Sequence, residues 1–377
     1  MISIGKNSEK RKLNGILEWN FTPADTKIIK GIAILLMLAH HLWAFPDRLV
    51  DGELISIGSI FNCNLAEYIG EFGKICVSLF FFVGGYGIYI SSLNKKVNIL
   101  RRIKLLYISY WKVFLIFIPI AFIFFGNQEN SRWNLYAVLN GKEFFENFFG
   151  VSSSYNNEWW FLISYVWVLL CFPIVKHFLD KGSTVENICF IIIGEIFLSC
   201  IFPDITKINL FKNLENNFFY KEIFCQTEYS ACFWMGCEFA RDNLLNKLRN
   251  EFENNKLLNP ILDCIYIGVI IFLRTSVFGN DIDIIIVPVF VVVTIDLVKR
   301  LRHVPEILHR FGNQSTNMWL VHTFFCYYFA PVARVVVAPR LAFLSWVILV
   351  IISYIASIFV DVFWNVVKEI GIKINDK

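Results

Sequence analysis

Charged residues are scarce in this chain of 377 residues, because Asp, Glu, Lys and Arg together make up only 18% of it. Soluble domains average about 25% charged and about 45–50% apolar residues. Here 56% of the residues are hydrophobic and the mean hydropathy is +0.55. The formal net charge of +4 is also too small to indicate a nucleic-acid partner. The composition therefore argues against a soluble globular protein and against a nucleic-acid-binding protein.

Paired cysteines are also missing. The chain has ten cysteines, but none belongs to a CxxC pair, so the sequence predicts neither a metal site nor a disulfide framework. Most lie inside apolar runs, where a free cysteine acts as a small buried hydrophobe. The polar N-terminus lacks the pattern of a cleavable signal peptide, so we expect the first apolar run to be retained.

Long apolar runs are abundant, and runs of this length are typical of transmembrane helices. The sequence predicts an all-α integral membrane protein, a bundle of about ten transmembrane helices. The ten predicted spans cover residues 28–45, 75–92, 105–125, 159–175, 187–202, 224–240, 258–273, 284–298, 318–330 and 341–367. Gly84 and Gly85 in the second span predict a close helix approach or a local break.

Lysine and arginine concentrate in alternate loops, and cytoplasmic loops of membrane proteins carry this excess. The basic loops cover residues 6–12, 95–104, 241–256 and 299–310. If these basic loops are cytoplasmic, an even number of spans places both termini in the cytoplasm. The predicted organisation is a cytoplasmic segment over 1–24, one transmembrane domain over 25–370 and a cytoplasmic tail over 371–377.

Lys30 and His41 are two ionisable residues in the otherwise apolar first span. Eleven helical steps bring them within about 20° of the same face, with a rise of about 16 Å between them. Ionisable residues at membrane depth usually face a bundle interior or a wet cavity. His41, near the outer end, could accept a proton from a hydroxyl, or it could form a structural hydrogen bond to a neighbouring helix. His40 lies about 80° around the helix from Lys30, which favours a structural role.

Four segments in order resemble motifs of one family, the acyltransferase family 3 membrane proteins. Lys30 and His41, within KGIAILLMLAHH, resemble its first-helix Arg-x10-His motif, with lysine in place of arginine. Residues 73–89, GKICVSLFFFVGGYGIY, are similar to its second helix, and residues 157–162, NEWWFL, to the Trp-Phe-Leu opening of a later helix. Residues 313–322, NQSTNMWLVH, resemble its segment near the C-terminus. The family's Arg-x-x-Arg element precedes its third helix, and two registers are open for it here: Arg101 with Lys104, or Arg102 with Leu105.

The resemblance implies transfer of an acyl group, usually acetyl from acetyl-CoA, to a hydroxyl of a glycan or lipid-linked sugar. Acetyl-CoA would be a donor substrate, not a permanently bound cofactor. Membrane lipids and the carbohydrate acceptor are the expected partners, with envelope polysaccharide assembly proteins as further candidates. The expected location is the bacterial plasma membrane, crossed several times. Basic residues at the cytoplasmic side would hold the phosphates of the donor; these are Lys30, Arg101, Arg102 and Lys104.

His41 and Glu158 are the predicted catalytic residues. The predicted acceptor-binding residues are Tyr155, Trp159, Trp160 and His322. Each has a simpler interpretation. Glu158 suits the start of a helix, the two tryptophans suit a membrane interface, and the basic cluster would orient the protein whatever its function. His322 is expected about one turn inside the cytoplasmic end of its helix, capped by Ser315, and a structural hydrogen bond competes with its binding role.

Arg274, at the end of the seventh span, is expected to form an ion pair with Asp281 or Asp283 in the following loop.

Two other function classes remain open at this point. A transporter or flippase could move acyl groups or lipid-linked sugars without bond chemistry, with the intramembrane His, Lys and Glu as relay residues. An internal inverted repeat would favour transport, and the sequence shows none. A polysaccharide polymerase is a third class, but it would be expected to have a larger polar outer loop with paired arginines than residues 126–158 offer.

Overall fold

Most of the described part of the chain is helical, and its two short strands form one small hairpin. The computed structural model describes residues 20–50, 52, 54–56, 58–60, 63–126, 135–197, 212–213 and 218–375. The α-helices are α1 (Pro23–Trp43), α2 (Leu65–Gly73), α3 (Ile75–Asn94), α4 (Ile99–Phe124), α5 (Gly141–Phe148), α6 (Trp160–Leu179), α7 (Thr184–Ile196), α8 (Phe218–Arg241), α9 (Leu244–Asn254), α10 (Pro260–Phe272), α11 (Asp283–Arg300), α12 (Val304–Thr323), α13 (Ala330–Val337) and α14 (Ala342–Asn375). Short 3-10 turns cover Pro46–Arg48, Asn157–Trp159 and Gly279–Ile282, and π-helical turns cover Leu273–Phe278 and Phe324–Tyr328.

The hairpin is an addition to the predicted all-α fold. Strands β1 (Ser59–Ile60) and β2 (Cys63–Asn64) pair antiparallel, with Ser59 opposite Asn64 and Ile60 opposite Cys63. Nearby, the amide of Ile55 donates to the carbonyl of Arg340 at 2.6 Å, which ties the segment after α1 to the start of α14.

Each of the ten predicted spans overlaps a helix of the structure. Within the described residues, five helical stretches are individually long and apolar enough to cross a membrane. They are Pro23–Trp43, Leu65–Leu93, Ile99–Phe124, Asn157–Leu179 and Ala342–Ile370. A sixth is obtained if Val304–Tyr328 and Ala330–Val337, bent by 89°, form one span. The chain is thus a helical membrane protein, while the count of ten spans and the cytoplasmic termini stay predictions.

The start of the ninth predicted span is wrong. Ser315 was expected to cap that helix, but α12 begins well before it, and the Ser315 hydroxyl donates to the carbonyl of Gly312 at 3.0 Å within the helix. The polar sequence around Ser315 resembles a loop, yet its side chains have partners inside the bundle: Asn317 donates to the Asp361 carboxylate at 3.0 Å. His322 consequently lies near the C-terminal end of α12, not near its start.

Helix α1 packs against α2, α3, α11, α12 and α14, and its most extensive contact is with α12. That contact depends on two glycines. A Cβ at Gly31 would lie 2.1 Å from the carbonyl oxygen of Leu308, and one at Gly312 would lie 1.9 Å from that of Lys27. Small residues at helix crossings let two backbones approach closely inside a membrane. Only hydrogen fits at these two positions, so the glycines fix how α1 and α12 cross.

Helices α3 and α8 also approach each other closely at two glycines. A Cβ at Gly85 would lie 1.9 Å from the carbonyl oxygen of Phe233, and one at Gly236 would lie 2.1 Å from that of Phe82. The close helix approach predicted at Gly85 is therefore present. By contrast, a Cβ at Gly87, on the same helix, would meet no atom within 4 Å.

Gly85→Ala should destabilise the protein, because the new methyl group would collide with backbone that cannot move aside. Overpacking of this kind costs about 1–3 kcal/mol, so we expect a lower Tm for the purified protein in detergent. Gly87→Ala is the matched control, and it should leave the Tm unchanged or slightly raised because alanine favours a helix over glycine. Equal Tm values for the two variants would contradict this account of the α3–α8 crossing.

Candidate functional site

Two cavities lie along one side of α1. The first, of about 110 Å³, is lined by Lys30 and Met37 of α1 and by side chains of α3, α4, α6 and α12. The second, of about 270 Å³, is lined by His41 of the same helix and by Met37. Met37, Phe161 and Trp319 line both cavities, so the two adjoin at these residues. Lys30 and His41 thus face neighbouring cavities along α1, as their helical spacing predicts.

His41 lies in the last turn of α1. Its Nδ1 is 3.9 Å from Oε1 of Glu158, and this nitrogen has no hydrogen-bond partner among the described residues. The His41 backbone carbonyl accepts a hydrogen bond from the hydroxyl of Tyr327. The centroid of the His322 ring is 5.0 Å from that of the His41 ring. The structure therefore brings two histidines and one carboxylate together, from three separate segments of the chain.

Glu158 is buried, and several contacts fix its position. It belongs to the short turn before α6, where its amide donates to Oδ1 of Asn156 at 3.2 Å. The Tyr328 hydroxyl donates to the Glu158 Oε2 at 3.0 Å, and the Trp319 indole donates to its backbone carbonyl at 3.1 Å. A guanidinium nitrogen of Arg48 is 3.7 Å from the Glu158 Oε1. Glu158 lies at the start of a helix, as its simpler interpretation requires. Its side chain also lines the larger cavity.

The hydrogen bonds of His322 and His40 identify which ring nitrogen carries a proton. Nδ1 of His322 is 2.7 Å from the carbonyl oxygen of Trp319, and Nδ1 of His40 is 2.9 Å from that of Gly70. Because a carbonyl oxygen only accepts, each Nδ1 must be the donor. The His40 bond fits the predicted structural role. Nε2 of His322 is then an acceptor, and it has no partner in the part of the chain that the structure describes.

The predicted acceptor-binding aromatics do not lie together. Trp160 lines the larger cavity. Tyr155 is fully buried and its backbone carbonyl accepts from the Tyr136 hydroxyl, while Trp159 is buried with its indole donating to the Leu320 carbonyl at 3.1 Å. Neither Tyr155 nor Trp159 lines either cavity, and their contact with an acceptor stays a prediction. Both are packed inside the bundle, where they support the residues that surround the site, and Trp159 is not an interfacial anchor.

The basic residues near the start of α4 are also separated by the structure. Arg102 is half-buried and interacts electrostatically with Lys30 and with Tyr165, both of which line the smaller cavity. Arg101 and Lys104 are exposed. Residues three apart share a helix face, whereas Arg102, the residue directly after Arg101, points about 100° away from it. Arg102, not the Arg101 and Lys104 pair, is thus the α4 cation associated with Lys30.

Arg274 forms the ion pair that the sequence led us to expect. Its Nε is 2.7 Å from the Asp283 Oδ1, and both residues are buried. The same carboxylate accepts from the Ser78 hydroxyl at 2.5 Å.

Several residues around His41 were not among the predicted site residues. Arg48 and Lys74 line the larger cavity, and Tyr328 holds Glu158. The position of Arg48 soon after His41 is the one sequence signal that could have singled it out. Tyr328 lies in an aromatic π-helical turn that reads as part of an apolar span. Its contact with Glu158 joins residues far apart in sequence, which local patterns do not encode.

One family model matches a stretch of the chain that includes all residues lining the two cavities. The model of a family described as an acyltransferase domain matches residues 26–362. The comparison with curated proteins found no match, and neither did the comparison with solved structures. The family match favours the enzyme over the transporter that the sequence left open. Because it extends over nearly the whole chain, this protein is a member of acyltransferase family 3 and an acyl-transferring enzyme.

Proposed function

We propose that the protein is a membrane O-acyltransferase, which transfers an acetyl group from cytoplasmic acetyl-CoA to a hydroxyl of a cell-surface or lipid-linked carbohydrate. The observation that carries this proposal is the pair of adjoining cavities along α1, one lined by Lys30 and the other by His41. Two substrates that approach from opposite sides of a membrane need such a pair of connected sites.

The donor fits the Lys30 cavity by charge and by length. The phosphates of CoA form charge-assisted hydrogen bonds with cations. Lys30 lines this cavity, and Arg102 lies near enough to Lys30 to interact with it electrostatically. A lysine acts as a point charge without the arginine fork, which suits phosphate better than a planar carboxylate. From Lys30 to His41 the rise along α1 is about 16 Å, a distance that an extended pantetheine arm spans. The thioester then lies in the His41 cavity.

His41 is the general base of the proposed reaction. It takes the proton of the acceptor hydroxyl as that oxygen bonds to the thioester carbonyl carbon. The carbon–sulfur bond then breaks, and the proton passes from His41 to the departing CoA thiolate. Glu158 faces the His41 Nδ1 at 3.9 Å, and catalytic contacts of this length commonly tighten once substrate is bound. Its negative charge stabilises the imidazolium that forms during the transfer.

The acceptor is proposed to bind at Trp160 and Asn157, which line the same cavity. An aromatic face packs against the apolar C–H face of a sugar, and an amide pairs with its hydroxyls. His322 lies beside His41 with an open acceptor nitrogen, which suits a hydrogen bond from an acceptor hydroxyl. The plasma membrane is the proposed location, and envelope polysaccharide assembly proteins are the proposed partners.

Deleting the protein from its host should remove one acetyl group per modified unit from a surface glycan. Mass spectrometry of the glycan with and without the protein measures this difference, and labelled acetyl-CoA supplied to the purified protein traces its source. An unchanged glycan together with inert acetyl-CoA would overturn the proposed function. Flux of a lipid-linked sugar without thioester cleavage would favour transport instead.

His41→Ala should abolish measurable transfer, since general base catalysis contributes about 10²- to 10⁴-fold to a rate. The amount of protein in the membrane and its affinity for acetyl-CoA should stay close to those of the wild type. His177→Ala, which alters an exposed histidine on α6, is the matched control and should keep full activity. Comparable transfer rates in the two variants would remove His41 from the mechanism.

Lys30→Ala should raise the KM for acetyl-CoA by about tenfold or more, because hydrogen bonds to charged groups contribute about 1.5–3 kcal/mol. The value of kcat should change less, since Lys30 is far from the reacting bond. Lys30→Arg should restore most of the affinity, and Lys96→Ala, at an exposed lysine, should have no effect. A KM that stays the same in Lys30→Ala would argue against a donor site in the smaller cavity.

A further inference from the structure

Tyr165 of α6 presents an open hydroxyl group at the smaller cavity, which it lines together with Lys30. Its ring packs among phenylalanine rings of three helices, and the centroids of Phe81, Phe161 and Phe233 lie 5.9, 5.5 and 6.1 Å away. Its hydroxyl forms no hydrogen bond with a described residue. The ring is therefore held in place by its neighbours, while the hydroxyl is open to a ligand.

Gly84 of α3 leaves room for this hydroxyl. A Cβ at Gly84 would lie 2.5 Å from the hydroxyl oxygen of Tyr165 and 3.0 Å from its ring carbon Cε2. The next residue, Gly85, faces the backbone of α8 instead, and a Cβ there would lie 1.9 Å from the carbonyl oxygen of Phe233. The two adjacent glycines thus serve two different contacts, and Gly84 is the one that permits the position of the Tyr165 hydroxyl.

Polar side chains from three helices lie on one side of the apolar residues shared by the two cavities. They line the smaller cavity, and they are Lys30 on α1, Tyr165 on α6 and Thr316 on α12. The shared residues of the same helices are Met37, Phe161 and Trp319. Helical spacing puts each polar residue about one or two turns from the shared residue of its own helix. A ligand that extends from the larger cavity into the smaller one would therefore meet all three polar side chains.

Cations near the smaller cavity have no carboxylate partner among the described residues. Neither Lys30 nor Arg102 forms an ion pair there, and Arg102 interacts electrostatically with both Lys30 and Tyr165. Asp25, in the first turn of α1, pairs with Lys299 at 2.6 Å. A lysine ammonium only donates hydrogen bonds, and a tyrosine hydroxyl can donate one. A ligand that satisfies both groups needs acceptor oxygens, and a negative charge on those oxygens strengthens the bonds.

We propose that the Tyr165 hydroxyl donates a hydrogen bond to the phosphate next to the pantetheine arm of the acyl donor, and that Lys30 binds the same phosphate. The proposal rests on the proposed function and deepens it by one specificity residue for the donor. An arm that starts at His41 ends near Lys30, so the phosphate attached to the arm is the charged group that reaches the smaller cavity. Tyr165 therefore favours a phosphorylated thioester over one without phosphate, and Gly84 is a positioning residue that acts through Tyr165.

Binding of three donors to the full-length protein in lipid nanodiscs tests the proposal. Acetyl-CoA, acetyl-phosphopantetheine and acetyl-pantetheine share the arm and the thioester, and only the last lacks the phosphate. The wild type should bind both phosphorylated donors at least about tenfold more tightly than acetyl-pantetheine. Tyr165→Phe keeps the packed ring and removes only the hydroxyl. It should weaken binding of both phosphorylated donors by about tenfold and leave the Kd of acetyl-pantetheine unchanged.

Two further variants complete the test. Tyr266→Phe alters a half-buried tyrosine of α10, which lines neither cavity, and as the matched control it should bind all three donors like the wild type. Gly84→Ala should weaken binding of acetyl-CoA, because its methyl group displaces the Tyr165 hydroxyl. Added to Tyr165→Phe, it should weaken binding no further, and a double-mutant cycle measures this non-additivity. The Tm of each variant reports whether it is folded.

Wild-type affinity of Tyr165→Phe for acetyl-phosphopantetheine overturns the proposal. So does an equal loss of affinity for acetyl-pantetheine, which would place the hydroxyl on the arm, or a loss confined to acetyl-CoA, which would place it on the nucleotide. Additive effects of Gly84→Ala and Tyr165→Phe overturn the role of Gly84. The proposed function fails by a different result, namely that the wild type in host membranes never cleaves labelled acetyl-CoA. A preference for phosphorylated donors without thioester cleavage would refute transfer and leave the phosphate site standing.

Discussion

The crossing of α1 and α12 is the constraint on which the site depends. Gly31 and Gly312 each face a backbone carbonyl of the other helix, so any side chain at either position would meet atoms that cannot rotate away. Inside a membrane, apolar side chains gain little by leaving lipid for protein, and close packing at small residues contributes more to helix association. This contact sets the depth of α12 on α1. As a result, the His322 ring lies beside that of His41 at the same end of the bundle.

Ion pairs elsewhere in the bundle are closer than those at the site. Lys299 is 2.6 Å from Asp25, Arg274 is 2.7 Å from Asp283, and the Glu238 contact with Arg241 is 3.0 Å. Buried charges are costly unless they are paired and hydrogen-bonded, and these groups meet that requirement. The Glu158 contacts with Arg48 and His41 are 3.7 and 3.9 Å. Beside these longer contacts, Nδ1 of His41 and Nε2 of His322 have no hydrogen-bond partner among the described residues.

The residues between the two cavities matter for the proposed chemistry. Met37, Phe161 and Trp319 have largely apolar side chains and line both cavities. A donor that reaches from the Lys30 cavity to His41 would fill the space among them and exclude water from the thioester, so that the acceptor hydroxyl is the nucleophile that reaches it. Basic side chains lie on either side of this apolar boundary, with Lys30 at the smaller cavity and Arg48 at the larger one.

The sequence by itself determined that Lys30 and His41 share one face of α1, because helical periodicity is a local property. Residue type and composition, which are also local, indicated that Gly85 permits a close helix approach and that the chain belongs in a membrane. Contacts between distant segments depend on how helices cross, and only the tertiary structure decided them. The tertiary structure places Glu158 and Arg48 beside His41. It also brings Arg102, and not Arg101 or Lys104, near Lys30, and it packs Tyr155 and Trp159 inside the bundle. The tertiary structure also decided that α12 begins well before Ser315. Its polar residues have hydrogen-bond partners on α14, which no local pattern reveals.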